Sequence, residues 1–205
     1  ENPGNFATER GWVRDQIEET WEQAAAIDFS GWGQCEFWSD GIRIQIKDGP
    51  GAPNSLVGTD GQGPWNGMEL NFTFTNWLDD DGNPTMTNCN SSAAQRERCI
   101  RSIATHEFGH ALGFVHEQER DDTPEGCIAD QKAMGNGAGE GEYGATSFGD
   151  WDPDSVMNYC NTNWVNGGVL SSTDTRGARQ FYSGNVHTHE VTLSGTVGSY
   201  VELKE

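Results

Sequence analysis

Positive charge is scarce in this chain: 12 Lys and Arg stand against 32 Asp and Glu, a formal net charge of -20 over 205 residues. Such a field repels a phosphate backbone and anionic lipid headgroups at long range, so neither nucleic acid nor a membrane surface is an expected partner. Missing too is any apolar run near the about 20 residues that a bilayer-spanning helix needs, and Glu1 to Arg10 lacks the apolar stretch of a signal peptide, so no membrane insertion is expected. Internal repeats and coiled-coil heptads are absent. Hydrophobic residues are only 34 %, yet 8 Trp, 9 Phe and 4 Tyr supply large packing units, which favours a folded globule over disorder. The length suits one domain and leaves little room for two. Cysteine is sparse and odd in number, with 5 in a Gly-rich acidic chain, which leans towards an exported protein whose targeting segment has been removed.

What is there begins with a helix from about Thr8 to Ala26, its core stripe marked by Val13, Ile17 and Trp21 at four-residue spacing. Short β-rich stretches follow at Ile42 to Ile46 and Met68 to Phe74, with Leu56-Val57 as a weaker third, and are expected to share one sheet. Asp79 to Pro84 reads as a turn. A second helical pattern starts near Ser92 and runs through Ile100, Ile103, Ala104 and Phe108 to Leu112, where Gly113 can close it in the left-handed conformation. From Phe114 to about Tyr159 the polar, Gly-rich sequence predicts irregular loops. A last helix is expected over Ser171 to Tyr182, with Ser171, Ser172, Thr173 and Asp174 as N-cap candidates. Beyond Gly184 the alternation of Val191, Leu193, Val197 and Val201 predicts a β tail or the start of a truncated module.

The stretch that carries chemistry is His106-Glu107-Phe108-Gly109-His110-Ala111-Leu112-Gly113-Phe114-Val115-His116-Glu117. On a helix, His106 and His110 project from one face with Cβ atoms about 5–6 Å apart, so both imidazoles can converge on one zinc ion. Gly113 allows a sharp turn that brings His116 under the pair as the third nitrogen. Three protein ligands leave a corner for water, the arrangement of a catalytic site and not of a closed structural one. Glu107 adjoins the first ligand without being one. It is placed to act as general base towards a water that zinc acidifies, and to pass the proton to a leaving amine. The five-residue core occurs by chance in structural helices, but Gly113 and His116 at their offsets make coincidence improbable.

With these residues the chain resembles the metzincin clan of zinc endopeptidases, and most closely its astacin-like branch. Two features carry the finer likeness: Glu117 directly after the third histidine, and Ser155-Val156-Met157-Asn158-Tyr159, which looks like the Met-turn with its tyrosine. The resemblance implies that Met157 forms an apolar floor beneath the metal, and that Tyr159 binds zinc as a fifth ligand before swinging away to stabilise the oxyanion. A phenol donor near developing negative charge is physically sensible. The likeness covers roughly Thr8 to Gly184, with sharp motifs only at residues 106–117 and 155–159. It implies an α+β, metzincin-type catalytic domain over residues 1–184: a twisted mixed sheet with two long helices above the cleft in an upper half (about 1–113), and a mostly irregular lower half (about 114–184) ending in a helix. Residues 185–205 form the β-like tail. Substrates would be proteins or peptides, bound as an extended strand along an edge for which Met68 to Phe74 is the candidate. The enzyme would be secreted, made with a signal peptide and a propeptide that are removed.

Two points stay open in that likeness. In astacins the residue matching Glu117 pairs with a freed N-terminus; here Glu1-Asn2-Pro3-Gly4 runs directly into the first helix, so Glu117 has either that role or a local hydrogen bond. The resemblance pairs Cys99 with Cys89, and Cys127 with Cys160 then staples the long loop to the Met-turn, leaving Cys35 over; other connectivities are equally legal. Calcium is a weaker expectation, because Asp79-Asp80-Asp81 and Asp150, Asp152, Asp154 lack the full calcium-loop spacing. His187-Thr188-His189 has no neighbouring ligands and reads as strand. The competing readings are a metzincin of another branch, matrixin-like, in which Tyr159 only packs, and a non-catalytic zinc-containing binding module, against which the intact Glu107 argues.

Overall fold

The stripe of Val13, Ile17 and Trp21 is buried as its spacing predicts, but on two helices and not one. In the computed structural model, which describes residues 6–33, 35, 41–49, 53–61, 67–77, 88–141, 145–184, 187–194 and 200–202, helix α1 (Ala7–Glu19) is followed by a single turn, α2 (Trp21–Ala24). Thr20 breaks them apart at φ -116°, ψ -87°, and its Oγ1 donates to the Gln16 carbonyl at 2.6 Å, a local bond that competes with the helical ladder. The break swings Trp21 into the core, where its Nε1 donates to the Thr105 carbonyl at 2.8 Å and its ring stacks on Phe114.

After α2 the chain enters β1 (Ile27–Gly33), a strand the sequence does not announce because Gly31 and Gly33 cut short the alternation of buried Ile27 and Phe29. Of the three stretches expected to share a sheet, Ile42 to Ile46 and Met68 to Phe74 do so, while the third strand is Asn54–Ser55 and not Leu56-Val57. β2 (Ile44–Ile46) runs parallel to β4 (Met68–Leu70), with Ile44 opposite Met68, and β3 (Asn54–Ser55) lies antiparallel on the other side of β4. Met68 to Phe74 is therefore not the edge strand: β4 is central, all three of its residues are buried, and the edges among the described residues are β2 and β3. Leu56 and Val57 sit just past β3 and are exposed. The Asp79 to Pro84 turn lies outside the described residues.

Helix α3 (Ala93–Ala111) crosses the core and is the longest element among the described residues. Ser92 caps it, its side chain accepting from Gln95 N at 3.1 Å. Ile100, Ile103, Ala104 and Phe108 are buried, and Phe108 meets Phe29 edge-on and Trp32 face-on. Gly113 closes the helix at φ +89°, with Gly113 N donating to the His110 carbonyl and Phe114 N to that of Gly109.

The segment expected to be irregular from Phe114 to Tyr159 contains a helix, α4 (Glu125–Ala133), preceded by Pro124. It carries almost no apolar period, and Gly126 interrupts its first turn; the Cys127–Cys160 disulfide fixes it to the chain after Tyr159. The second bridge is Cys89–Cys99, as the resemblance implied, and Cys35 takes part in neither. Helix α5 (Ser172–Phe181) begins at Ser171 with a full capping box, Ser171 and Asp174 bonding each other's backbone. Beyond it, β5 (His187–Ser194) pairs parallel with β1 and β6 (Tyr200–Glu202) antiparallel with β5, so the β character expected of the tail is met by a second three-stranded sheet.

Candidate metal centre

His106 and His110 stand one turn apart on α3, and the left-handed residue at Gly113 returns the chain so that His116 faces them. Ring centroids are 4.8 Å apart for His106 and His110, 4.6 Å for His110 and His116, and 5.3 Å for His106 and His116. One nitrogen from each ring lies within 4.8 Å of the other two, and no other cluster of this kind occurs among the described residues. Each Nδ1 is engaged from behind: His106 by the Val156 carbonyl at 2.9 Å, His110 by the Phe114 carbonyl at 2.7 Å, and His116 by Glu119 Oε1 at 3.4 Å. All three partners can only accept, so Nδ1 carries the proton and Nε2 presents a lone pair.

The consequence is a crowd of acceptors with no donor. His106 Nε2 is buried without a hydrogen-bond partner, and the Nε2 atoms of His110 and His116 face each other at 3.1 Å. Lone pairs so placed repel unless a cation lies among them. A proton suits poorly: burial, then the neighbouring imidazoles, pushes His106 well below its ordinary range and His110 down to about 4. Three convergent imidazoles with engaged second nitrogens fit zinc, and leave one corner open.

Glu107 follows His106 on α3. The residue is 3 % exposed, its Oε2 is buried without a partner, and burial pushes its carboxyl up to about 8. Tyr159 stacks against His106 at 5.2 Å and 22° and lies 4.6 Å from the His116 ring. Burial first, and then the nearby charges of Glu107 and Glu119, raise its phenol above the ordinary value, so it remains a neutral donor. Its backbone N donates to Gln118 Oε1 at 3.1 Å. Met157 packs under α3 at Gly109, where a Cβ would collide with the Met157 sulfur and press on Trp21, so any larger residue there would displace Met157.

The turn carrying Met157 is pinned by one buried carboxylate. Asp174 Oδ1 accepts from Ser155 Oγ at 2.7 Å, and Oδ2 accepts from Val156 N at 2.9 Å and Ser171 N at 2.8 Å. Ser155 Oγ in turn accepts from Met157 N at 3.0 Å. Of the two roles left open for Glu117, the structure displays the local one: its Oε1 accepts from Asp152 N at 2.7 Å and lies 3.4 Å from Arg120 Nε. A cavity of about 590 Å³ opens beside His116 and Glu117, lined by Phe114, Phe148, Met157 and Phe181.

The structure thus brings together His106, His110, His116, Glu107, Tyr159 and Met157. The acidic run does not converge: Asp152 Oδ1 is taken by Asp154 N and Oδ2 by Ser171 Oγ. Asp79 to Asp81 lies outside the described residues. Gly109, Gln118, Glu119 and Asp174 escaped the sequence reading as site residues. Asp174 was legible only as a cap candidate, and the other three only as neighbours of the histidines.

Residues 92–179 match the family model for astacin, a family of peptidases. No curated protein sequence matches the chain significantly. Among solved structures, one of myroilysin aligns at a TM-score of 0.56 and 22 % identity, covering 87 % of this chain and 88 % of that one. A second structure of myroilysin aligns at 0.47 and 19 %, over 85 % and 79 % of the two chains. The first alignment shows that the mixed helix-and-sheet architecture is shared with that chain.

Proposed function

We propose that the chain is an astacin-like metzincin, a zinc metalloendopeptidase, with a division of labour among its own residues, a reading supported by the match of residues 92–179 and by the three-histidine cluster. His106, His110 and His116 hold the zinc; Glu107 is general base and proton shuttle; Tyr159 steadies the oxyanion. The observation that carries this is the convergence of three Nε2 atoms that lack any donor, beside a buried carboxyl with an unpartnered oxygen. Zinc bound there supplies Lewis acidity towards water and the scissile carbonyl.

Glu107 Oε2 takes the proton of the attacking water and delivers it to the amine that leaves, so one side chain serves both halves of the reaction. Its burial favours the protonated form in the interval between the two transfers. The Tyr159 phenol, kept neutral, donates to the oxygen on which charge develops. Met157 at Gly109 and the glycine turn at Gly113 act by fixing where His110 and His116 stand. The catalytic unit is residues 1–184, with 185–205 as a β appendage. The enzyme works outside the cell after losing a signal peptide and propeptide, a reading supported by two disulfide bridges.

Glu107→Gln tests the assignment. The variant is expected to retain one zinc per chain and its folded stability while hydrolysis of a denatured casein-type substrate falls by about 10³ or more; chelation should abolish the parent's activity. Turnover within tenfold of the parent would remove Glu107 from its role.

A further inference from the structure

The three histidines are not held alike. Behind His106 and His110 stand backbone carbonyls, Val156 O and Phe114 O, which any side chain at those positions would provide. Behind His116 stands a side chain, the Glu119 carboxylate, with Oε1 3.4 Å from Nδ1. His116 is also the ligand set apart from the helix, on a stretch that leaves α3 through a glycine and continues into a short 3-10 turn at Glu117–Glu119. It is the ring whose aim the backbone controls least.

Glu119 is itself built into place. Its N donates to the His116 carbonyl at 3.2 Å, and its carbonyl accepts from Gly141 N at 2.7 Å. Gln118, one residue before it, accepts from Gly139 N at 3.0 Å, so the loop of alternating glycines lies along this turn backbone to backbone. At Gly137 a Cβ would stand 3.2 Å from Glu119 Oε1, within the space the carboxylate uses. Among the described residues, no Lys or Arg pairs with Glu119. Its charge is thus left for the imidazole.

We propose that Glu119 is a positioning residue for the metal: its carboxylate accepts the Nδ1 proton of His116, fixes that ring's orientation, and makes Nε2 a stronger donor to zinc. A carboxylate behind a zinc-binding imidazole raises ligand basicity, and loss of such a partner typically costs 10–100-fold in metal affinity. The glycine loop at residues 135–141 is the seat that keeps the carboxylate there. This rests on the reading that the three histidines hold zinc, and the test separates the two.

The measurement is competition for zinc between the protein and a chromophoric chelator, made on the parent, Glu119→Ala and Glu119→Gln, together with the rise in melting temperature that saturating zinc gives each apo-protein. Glu119→Ala should bind zinc about 10–100-fold more weakly. Glu119→Gln keeps the shape and an acceptor oxygen but not the charge, and should lie between parent and Ala, weakened at least about threefold. Both apo-proteins should melt with the apo-parent, while the zinc-induced rise shrinks in step with affinity. A merely structural Glu119 would do the reverse, lowering the apo melting temperature and leaving zinc affinity alone, and that result overturns the inference. Should the Ala variant not fold, a Gln variant with the parent's affinity overturns it equally. A parent that binds no zinc removes the functional reading itself.

Discussion

The chain before Gly113 and the chain after it hold their shape by different means. Before it, α1, α2 and α3 pack apolar side chains at helical spacing, with Ile17, Trp21, Ile100, Ile103 and Phe108 buried, and polar ties such as Trp21 Nε1 to the Thr105 carbonyl and Arg96 to Glu9 supplement that packing. After it, between Phe114 and Tyr182, order comes from polar side chains that bond backbone: Asp174 to the turn of Val156, Glu117 to Asp152, Gln118 to Tyr159, Asn158 to Cys160, Asn161 to Asn163. The candidate metal centre straddles the two. His106, Glu107 and His110 come from the packed side, and His116, Met157 and Tyr159 from the bonded side. Apolar packing tolerates small changes of shape, whereas a buried acceptor surrounded by donors does not tolerate a change of chemistry.

The sharpest way to test that difference is a conservative exchange on each side. Asp174→Asn keeps the volume but offers an amide where three donors converge, and should cost about 3 kcal/mol of stability in urea unfolding, because buried donors lose their acceptor. It should also loosen zinc by shifting Val156, whose carbonyl holds His106. A loss under about 1 kcal/mol would erase the contrast. Next in size, Tyr159→Phe should lower kcat about 100-fold, equivalent to about 2.7 kcal/mol, with zinc content and stability unchanged. Turnover close to the parent's would return Tyr159 to a packing role, as in the matrixin-like reading. Smallest, Ile103→Val on the packed side should cost about 1 kcal/mol and leave zinc binding and turnover as they were.

The same contrast explains what could be read in advance. The pair Val13 and Ile17 and the run from Ile100 to Phe108 were legible because burial on one helix face leaves a period in the sequence, though the break at Thr20 that sets Trp21 on its own turn was not. The three histidines with Gly113 were legible because ligand spacing and the left-handed turn are both local. β1 was hidden by its glycines, and α4 by its lack of an apolar face, being held by Cys127–Cys160 over a separation of 33 residues. That β4 would be central, and not an edge, depended on where β2 and β3 docked, which three residues of strand do not encode. Gly109 could not be marked as a site residue without knowing that Met157 would come to rest against it.

X-ray absorption at the zinc edge of the loaded protein tests most directly whether three imidazoles share one ion. The expected result is one zinc per chain, a shell of nitrogen and oxygen only, and the scattering pattern of three imidazoles, reduced to two in His116→Ala. A sulfur in that shell, or a spectrum of the His116 variant identical to the parent's, would contradict it.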